Sequence, residues 1–565
     1  MPRGHGPRAC RLIQAKVCAA VLGALLAAAV AIGTGAAWAA DEPAALAPVL
    51  DGMGPDRGPV ASRVPAAQRW FHQGVTLVWG FNPNEAARAF EAAAAADPGC
   101  ALCWWGLAWS LGPNINTDMD PVNAERVHAA LARAHALMPK ATRRTAALIG
   151  ALSTRHLADG VVAAVDEEAY AERMRLLARS FPRDAEIAVL AAEAQLNLHP
   201  YDWWEQDGSP KPWTPATRAL LARASALDKD HPGANHYWIH LLESSPDPGA
   251  ARASAERLRT AVPGSGHLLH MPAHIDLRTG HYADAVAANE RAIAADAHYL
   301  AQVDAQGAYR VGYVAHNHHF LWAAAAMDGQ SAKAIAAARA AYPAACGPKP
   351  GDRRIGILQE YYVLPLFALV RFARWKEILE ETLPPDVAEP YPLAVWHYAR
   401  GTALARTGRV ADARKELKRV EAALEDPALE RASIKNINPA KSLVRIAALT
   451  LTAGIASAEG RAADAIAPLT EAVAIEDALA YDEPHLWLAP TRHALGAALL
   501  AADRPREAEK VYREDLVRYP DNGWSLAGLA DAQRKQGKAD AAKATQARFE
   551  AAWRRADFAL PGSRG

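Results

Sequence analysis

Residues 266–282 read GHLLHMPAHIDLRTGHY, and within them stand His267, His270 and His274. Upstream, HPGANHYWIHLLE at 231–243 carries His236 and His240. The members of each His-x-x-x-His pair are four residues apart, and the pairs are separated by 34. On a helix, residues separated by four or seven share one face, which sets Glu243 beside His236 and His240. A neutral imidazole is the commonest protein metal ligand, and two of them one turn apart can chelate a single ion. Several imidazoles with a carboxylate suit zinc, copper, iron or nickel better than calcium or magnesium. A third run, AHNHHFLWAAAAM at 315–327, adds His316 and His319.

Such chemistry needs a scaffold that brings separate helices together, and the internal periodicity supplies one. In RWFHQGVTLVWGFNPNEAARAFEAAAAADP, with residue 67 as position 1, Trp70, Gly74, Ala86, Phe90, Ala93 and Pro98 fall at positions 4, 8, 20, 24, 27 and 32. Small residues at 8, 20 and 27 let two helices approach, aromatics fill the gap, and proline stops the second helix. Near the other end, Gly496, Ala508, Tyr512 and Pro520 repeat positions 8, 20, 24 and 32. The unit after it keeps Ala530, Gly537 and Ala542, and Gly401, Gly408, Ala413, Gly460, Ala465 and Ala472 mark units between the ends. This pattern resembles the tetratricopeptide repeat (TPR). It predicts an all-α solenoid of stacked antiparallel helix hairpins, with no strand of consequence.

That register locates the histidines. With residue 266 as position 1, His267, His270 and His274 occupy positions 2, 5 and 9; with residue 315, His316 and His319 occupy 2 and 5. Counted from Ala251 and Pro263, His236, His240 and Glu243 take 5, 9 and 12, whereas counting from Pro232 moves them by three. In TPR proteins the first helices face the concave groove, so these side chains are expected to line it. Four stretches interrupt the period: LGPNINTDMDPVN, LNLHPYDWWEQDGSPKPWTP, AACGPKPGDRRIG and LPPDVAEPYP. Insertions of this kind serve as spacers or as part of a binding face.

The 565 residues contain 62 basic and 62 acidic side chains, so there is no net field for a nucleic-acid partner. Residues 1–39 read as a cleavable secretory leader, with Arg3, Arg8, Arg11 and Lys16 before an apolar run and AWAAD at its end. Pro, Gly and Ala dominate 40–65, a flexible linker by composition. The folded part then divides into 66–345 with the histidines, an irregular connector with a helix at 346–393, and a second array at 394–558. No stretch after the leader reads as long and apolar enough to span a bilayer, so the expected compartment is periplasmic or secreted. Cys100 and Cys103 form C-x-x-C at a helix start, as a local disulfide or a redox pair. Trp104 stands where covalent haem attachment would need histidine, and no nucleotide motif appears in a fitting context.

FNPNEAARAFEAAAAADPGCALCWWGLAWSLGPNIN, HPGANHYWIHLLESSPDP, GHLLHMPAHIDLRTGHY and GYVAHNHHFLWAAAAMDG together resemble a group of exported bacterial TPR-domain proteins. The resemblance implies a binding scaffold whose groove takes a protein or peptide. TPR grooves often hold a terminal carboxylate with Lys, Arg or Asn, and here those positions carry histidine. Three functions follow: a binding or assembly protein whose groove holds a transition metal or a peptide, a metal-dependent enzyme with Glu243 as general base, or a structural scaffold with incidental histidines.

Overall fold

Helix after helix follows the predicted period. The computed structural model describes residues 47–56, 60, 62–156, 164–303, 305, 308–347, 356–383, 387–435 and 437–560. The expected leader lies outside these residues. Among them are α-helices packed in sequential hairpins and one strand pair, Ser433–Ile434 with Asn438–Pro439. The chain is a TPR-type helical solenoid.

The small–aromatic code has a direct physical reading. In the first hairpin, Pro65–Trp79 and Pro83–Ala96, the fully buried Phe90 ring lies against the backbone of Gly74 and of Gly106 in the next helix. A Cβ at either glycine would collide with that ring. Tyr512 makes the same contacts with Gly496 and Gly528 far along the chain. One large ring thus locks three helices, and close packing makes both size requirements strict.

Two departures from the sequence reading bear on the site. Residues 47–53, expected within a flexible linker, are tied down: Leu50 N donates to Gln73 Oε1 at 2.8 Å, and Thr76 Oγ1 donates to Met53 O at 3.1 Å. Gly264 N donates to Gly52 O at 2.9 Å, so this strap reaches the histidine hairpin. Ala440–Ala458 does pass the length and hydropathy test for a membrane span, but it is largely buried among neighbouring helices, as a core helix would be.

The array also turns back on itself. Trp524 Nε1 donates to Ala326 O at 3.0 Å, Tyr282 Oη donates to Pro520 O at 2.9 Å, and Arg555 pairs with Asp328 at 2.5 Å. C-terminal hairpins therefore close over the helices that carry the histidines. What the repeat pattern presents as an open groove is, at this point, an interior.

Candidate functional site

Three stretches position the imidazoles. Pro232–Glu243 starts with Pro232 in its first turn, and His231 Nδ1 accepts from Ala234 N at 3.3 Å as its cap. Gly266–His270 runs through Met271 into Pro272–Arg278, capped by Ser265. Ala315–Met327 follows a π-helical turn at Arg310–Val314, a distortion that often marks functional positions.

The six imidazoles sort into two triads, His236/His240/His267 and His270/His274/His316, each offering one nitrogen per ring within 4.8 Å of the others. In repeat positions these are 5, 9 and the next unit's 2, twice over. That answers the separation of 34: one three-histidine cluster is written again one hairpin along. His319 sits at position 5 of the third unit, where position 9 is Ala323, and the series stops. His319 joins neither triad; its Nε2 lies 3.7 Å from Glu360 Oε1.

Hydrogen bonds at Nδ1 orient three of the rings, and carboxylates paired at Nδ1 hold a fourth. Nδ1 of His236 donates to Trp79 O at 2.7 Å. His270 donates from Nδ1 to Asn289 Oδ1 at 2.7 Å, and Asn289 Nδ2 donates to Ala285 O, which fixes the amide. The Nδ1 of His240 lies 3.0 Å from Glu243 Oε1. His274 Nδ1 lies 2.5 Å from both Glu243 Oε2 and Glu483 Oε2. With Nδ1 committed as donor, a neutral ring leaves Nε2 as a bare lone pair. The Nε2 atoms converge: those of His270 and His274 are 2.8 Å apart, and that of His236 lies 3.0 Å from Nε2 of His267, whose own Nδ1 has no partner. Two lone pairs at such distances repel unless a positive centre, proton or metal ion, lies between them. His240 Nε2 is buried with no partner at all.

Electrostatics separate the rings. Burial, then neighbouring imidazoles, hold His236, His267, His270 and His316 well below the ordinary histidine range, so they are neutral at physiological pH. His274 goes the other way. Burial opposes its charge, but the Glu243 and Glu483 carboxylates outweigh that and raise it to about 10. Without a metal, His274 is an imidazolium and its Nε2–H can point at His270. His267 can similarly donate from Nε2 to His236, which leaves its Nδ1 a lone pair with no donor.

Glu243, the carboxylate expected as a general base, lies between the two triads. Its oxygens face His240 and His274, one from each triad, and its carboxyl is held well below the usual range by those partners despite burial. It is a positioning residue shared by both clusters. The carboxylate that sequence reading missed is Glu483, which contacts His274 from a segment 209 positions further on. Its only sequence signal is the acidic pair in YDEPH, an irregular stretch before a repeat.

The lids are aromatic. Phe81 lies over the first triad, with ring centroids 4.4 Å from His236 and 5.2 Å from His267. Phe320 covers the second, 4.5 Å from both His270 and His274. Two predicted insertions do reach the site: Asn116 Nδ2 donates to Tyr313 Oη at 3.1 Å, and Tyr201 Oη donates to Asn116 Oδ1 at 2.6 Å. Tyr313 packs on His267 at 4.7 Å. The other two insertions fall partly outside the described residues. Elsewhere, Cys100 and Cys103 are joined as a disulfide, buried at the start of Ala101–Ser110.

No protein-family model and no curated protein sequence matches the chain. Solved structures similar to it include the human IFIT1 dimer with PPP-AAAA, at 13% identity and TM-score 0.30, covering 87% of this chain and 91% of that one. The P58(IPK) TPR domain shares 13% identity at TM-score 0.20, covering 84% of this chain and 99% of that domain. The APC/C hetero-tetramer Cut9–Hcn1 shares 12% at TM-score 0.26, covering 87% and 88%. Likeness at this level says nothing about what this chain binds.

Proposed function

We propose that this chain is a TPR-type binding protein whose interior holds transition-metal ions in two tandem three-histidine centres. The observation that carries this reading is the pair of repeat-equivalent triads in which outer hydrogen bonds fix Nδ1 and leave Nε2 atoms facing one another. Histidine ligands in metal sites are oriented in this way by carboxylates and carbonyls. Imidazole donors without thiolate favour zinc, copper, iron or nickel. The disulfide and the leader pattern support an oxidising, exported location. Burial of every residue of the first triad argues against a peptide lying directly on it; a protein partner would dock elsewhere on the array.

Chelator-treated full-length protein titrated with Zn²⁺ and Cu²⁺ tests the reading. About two ions per chain are expected, one lost in His236→Ala and the other in His270→Ala, with the helical circular dichroism retained. Absence of tight binding, or both variants keeping both ions, overturns it. A metal-dependent enzyme built on these triads remains the second reading; turnover by the loaded protein that vanishes with the second ion would favour it.

A further inference from the structure

The two triads differ in their access to solvent. His236, His240 and His267 are buried, as are His270 and His274, and of the six imidazoles only His316 is partly exposed. Its ring nitrogens make no hydrogen bond among the described residues, and neither is sealed in the interior as His240 Nε2 and His267 Nδ1 are. The first triad is closed on its other sides. Phe81, Tyr237 and Tyr313, themselves buried, pack on its rings. Tyr201 stands edge-on to His240 at 6.1 Å, with its hydroxyl tied to Asn116.

From His316 inward the imidazoles form an unbroken series. Ring centroids lie 5.0 Å apart for His316 and His270, and 4.8 Å apart for His267 and His236. Between the triads the separations are 5.9 Å, from His270 to His267, and 5.7 Å, from His274 to His240. Those gaps are no wider than the widest within each triad, 6.3 Å between His240 and His267 and 6.0 Å between His274 and His316. An ion leaving one triad therefore meets a ligand of the other before it has lost all of its own. A bare ion crossing a buried aromatic interior would bear the full cost of desolvation; one that stays coordinated does not.

We propose that the second triad is the entry port of the first: a divalent transition-metal ion binds at His316, passes to His270, and is handed across to His267 and its neighbours one imidazole at a time. This rests on the metal reading of both triads and adds the route and order of loading. Each step exchanges one metal–nitrogen bond for another, with no change of oxidation state. The uncommitted Nδ1 of His267 supplies a free nitrogen on the receiving side.

The test mixes chelator-treated full-length protein with Co²⁺ and follows visible absorption by stopped flow. His316→Leu and His270→Leu keep side-chain bulk but each removes one rung. In both, the first centre should fill more slowly by about tenfold or more, with its Kd as in the wild type. Stripping that ion with excess chelator should slow by the same factor, because an unchanged affinity requires it. His236→Ala, which isolates the second centre, should show fast loading alone. Absence of Co²⁺ binding by the wild type overturns the metal reading itself. A first centre that loads as fast in either folded Leu variant as in the wild type overturns the relay and leaves the metal reading standing.

Discussion

His236, His240 and His267 sit beneath Phe81, with His236 held by a main-chain carbonyl, Trp79 O. His270, His274 and His316 repeat those positions beneath Phe320, but His270 is held by a side chain, Asn289, and His274 by two carboxylates. The first triad is buried throughout; in the second, His316 is partly exposed. Equal repeat positions therefore give equal ligand geometry and unequal surroundings. The helix period sets the first, and whatever packs on each hairpin sets the second.

Glu243 is the point where both triads meet, so its removal should have the largest effect. Glu243→Ala leaves the His274 charge with Glu483 alone and frees His240 Nδ1. Breaking a buried ion pair by deleting one partner typically costs about 3–5 kcal/mol. Urea unfolding of metal-free protein should show a loss of that order, and metal titration should show both centres weakened. Weakening of one centre only would mean that Glu243 is not shared.

Two further buried acids are pushed up by burial to about 7. Glu193 takes Trp109 Nε1 at 3.2 Å in the layer under Trp79, and Asp296, against the backbone of Gly266, takes Tyr309 Oη and Asn317 Nδ2. A folded carboxyl that holds its proton to higher pH than the unfolded chain supplies stability that is complete below its unfolded value. That stability is lost as pH rises through the folded value. For Glu193 the window runs from 4.5 to about 7. The rise corresponds to about 3 kcal/mol. Glu193→Gln should flatten stability against pH across that window. An unchanged slope would mean that Arg155 already compensates the charge.

How much of this was legible in the sequence follows from the range of each interaction. Gly74, Phe90 and Gly106, like Gly496, Tyr512 and Gly528, act within one or two hairpins, so their spacing exposes the solenoid. Positions 2, 5 and 9 expose both triads for the same reason. Trp79 O lies 157 residues from His236, and Glu483 is reached only because the C-terminal hairpins fold back. No local pattern encodes that closure. The groove expectation met an interior there, and the link from Glu243 to His274 was not legible, because His274 belongs to the next repeat.

A smaller effect should separate the two triads. Asn289→Leu keeps the volume but leaves His270 Nδ1–H without an acceptor. Loss of such an outer partner lowers metal affinity by roughly tenfold to a hundredfold. The second centre should weaken by that factor and the first should not change, measured by titrating His270→Ala and His236→Ala backgrounds that isolate each centre. His236 has no equivalent lesion, since its holder is the Trp79 peptide carbonyl, which no substitution removes.

The smallest expected effect tests the repeat rule itself. His319 stands at position 5 of the third unit with Ala323 at position 9, and Glu360 lies 3.7 Å from His319 Nε2. Ala323→His would restore the pair one turn apart on the same helix face, with Glu360 in the role that position 2 of the next unit plays elsewhere. Ala323 also lines a cavity beside Glu483, which gives a larger side chain somewhere to go. Lys435 sits 3.6 Å from Glu360 and competes for that carboxylate, so the new centre should be weak. One additional, low-affinity metal equivalent in titration of the folded variant is the expected outcome. A folded variant that gains none would show that positions 5 and 9 are insufficient without an outer hydrogen bond to fix each ring, and the comparison between the triads would then rest on their surroundings alone.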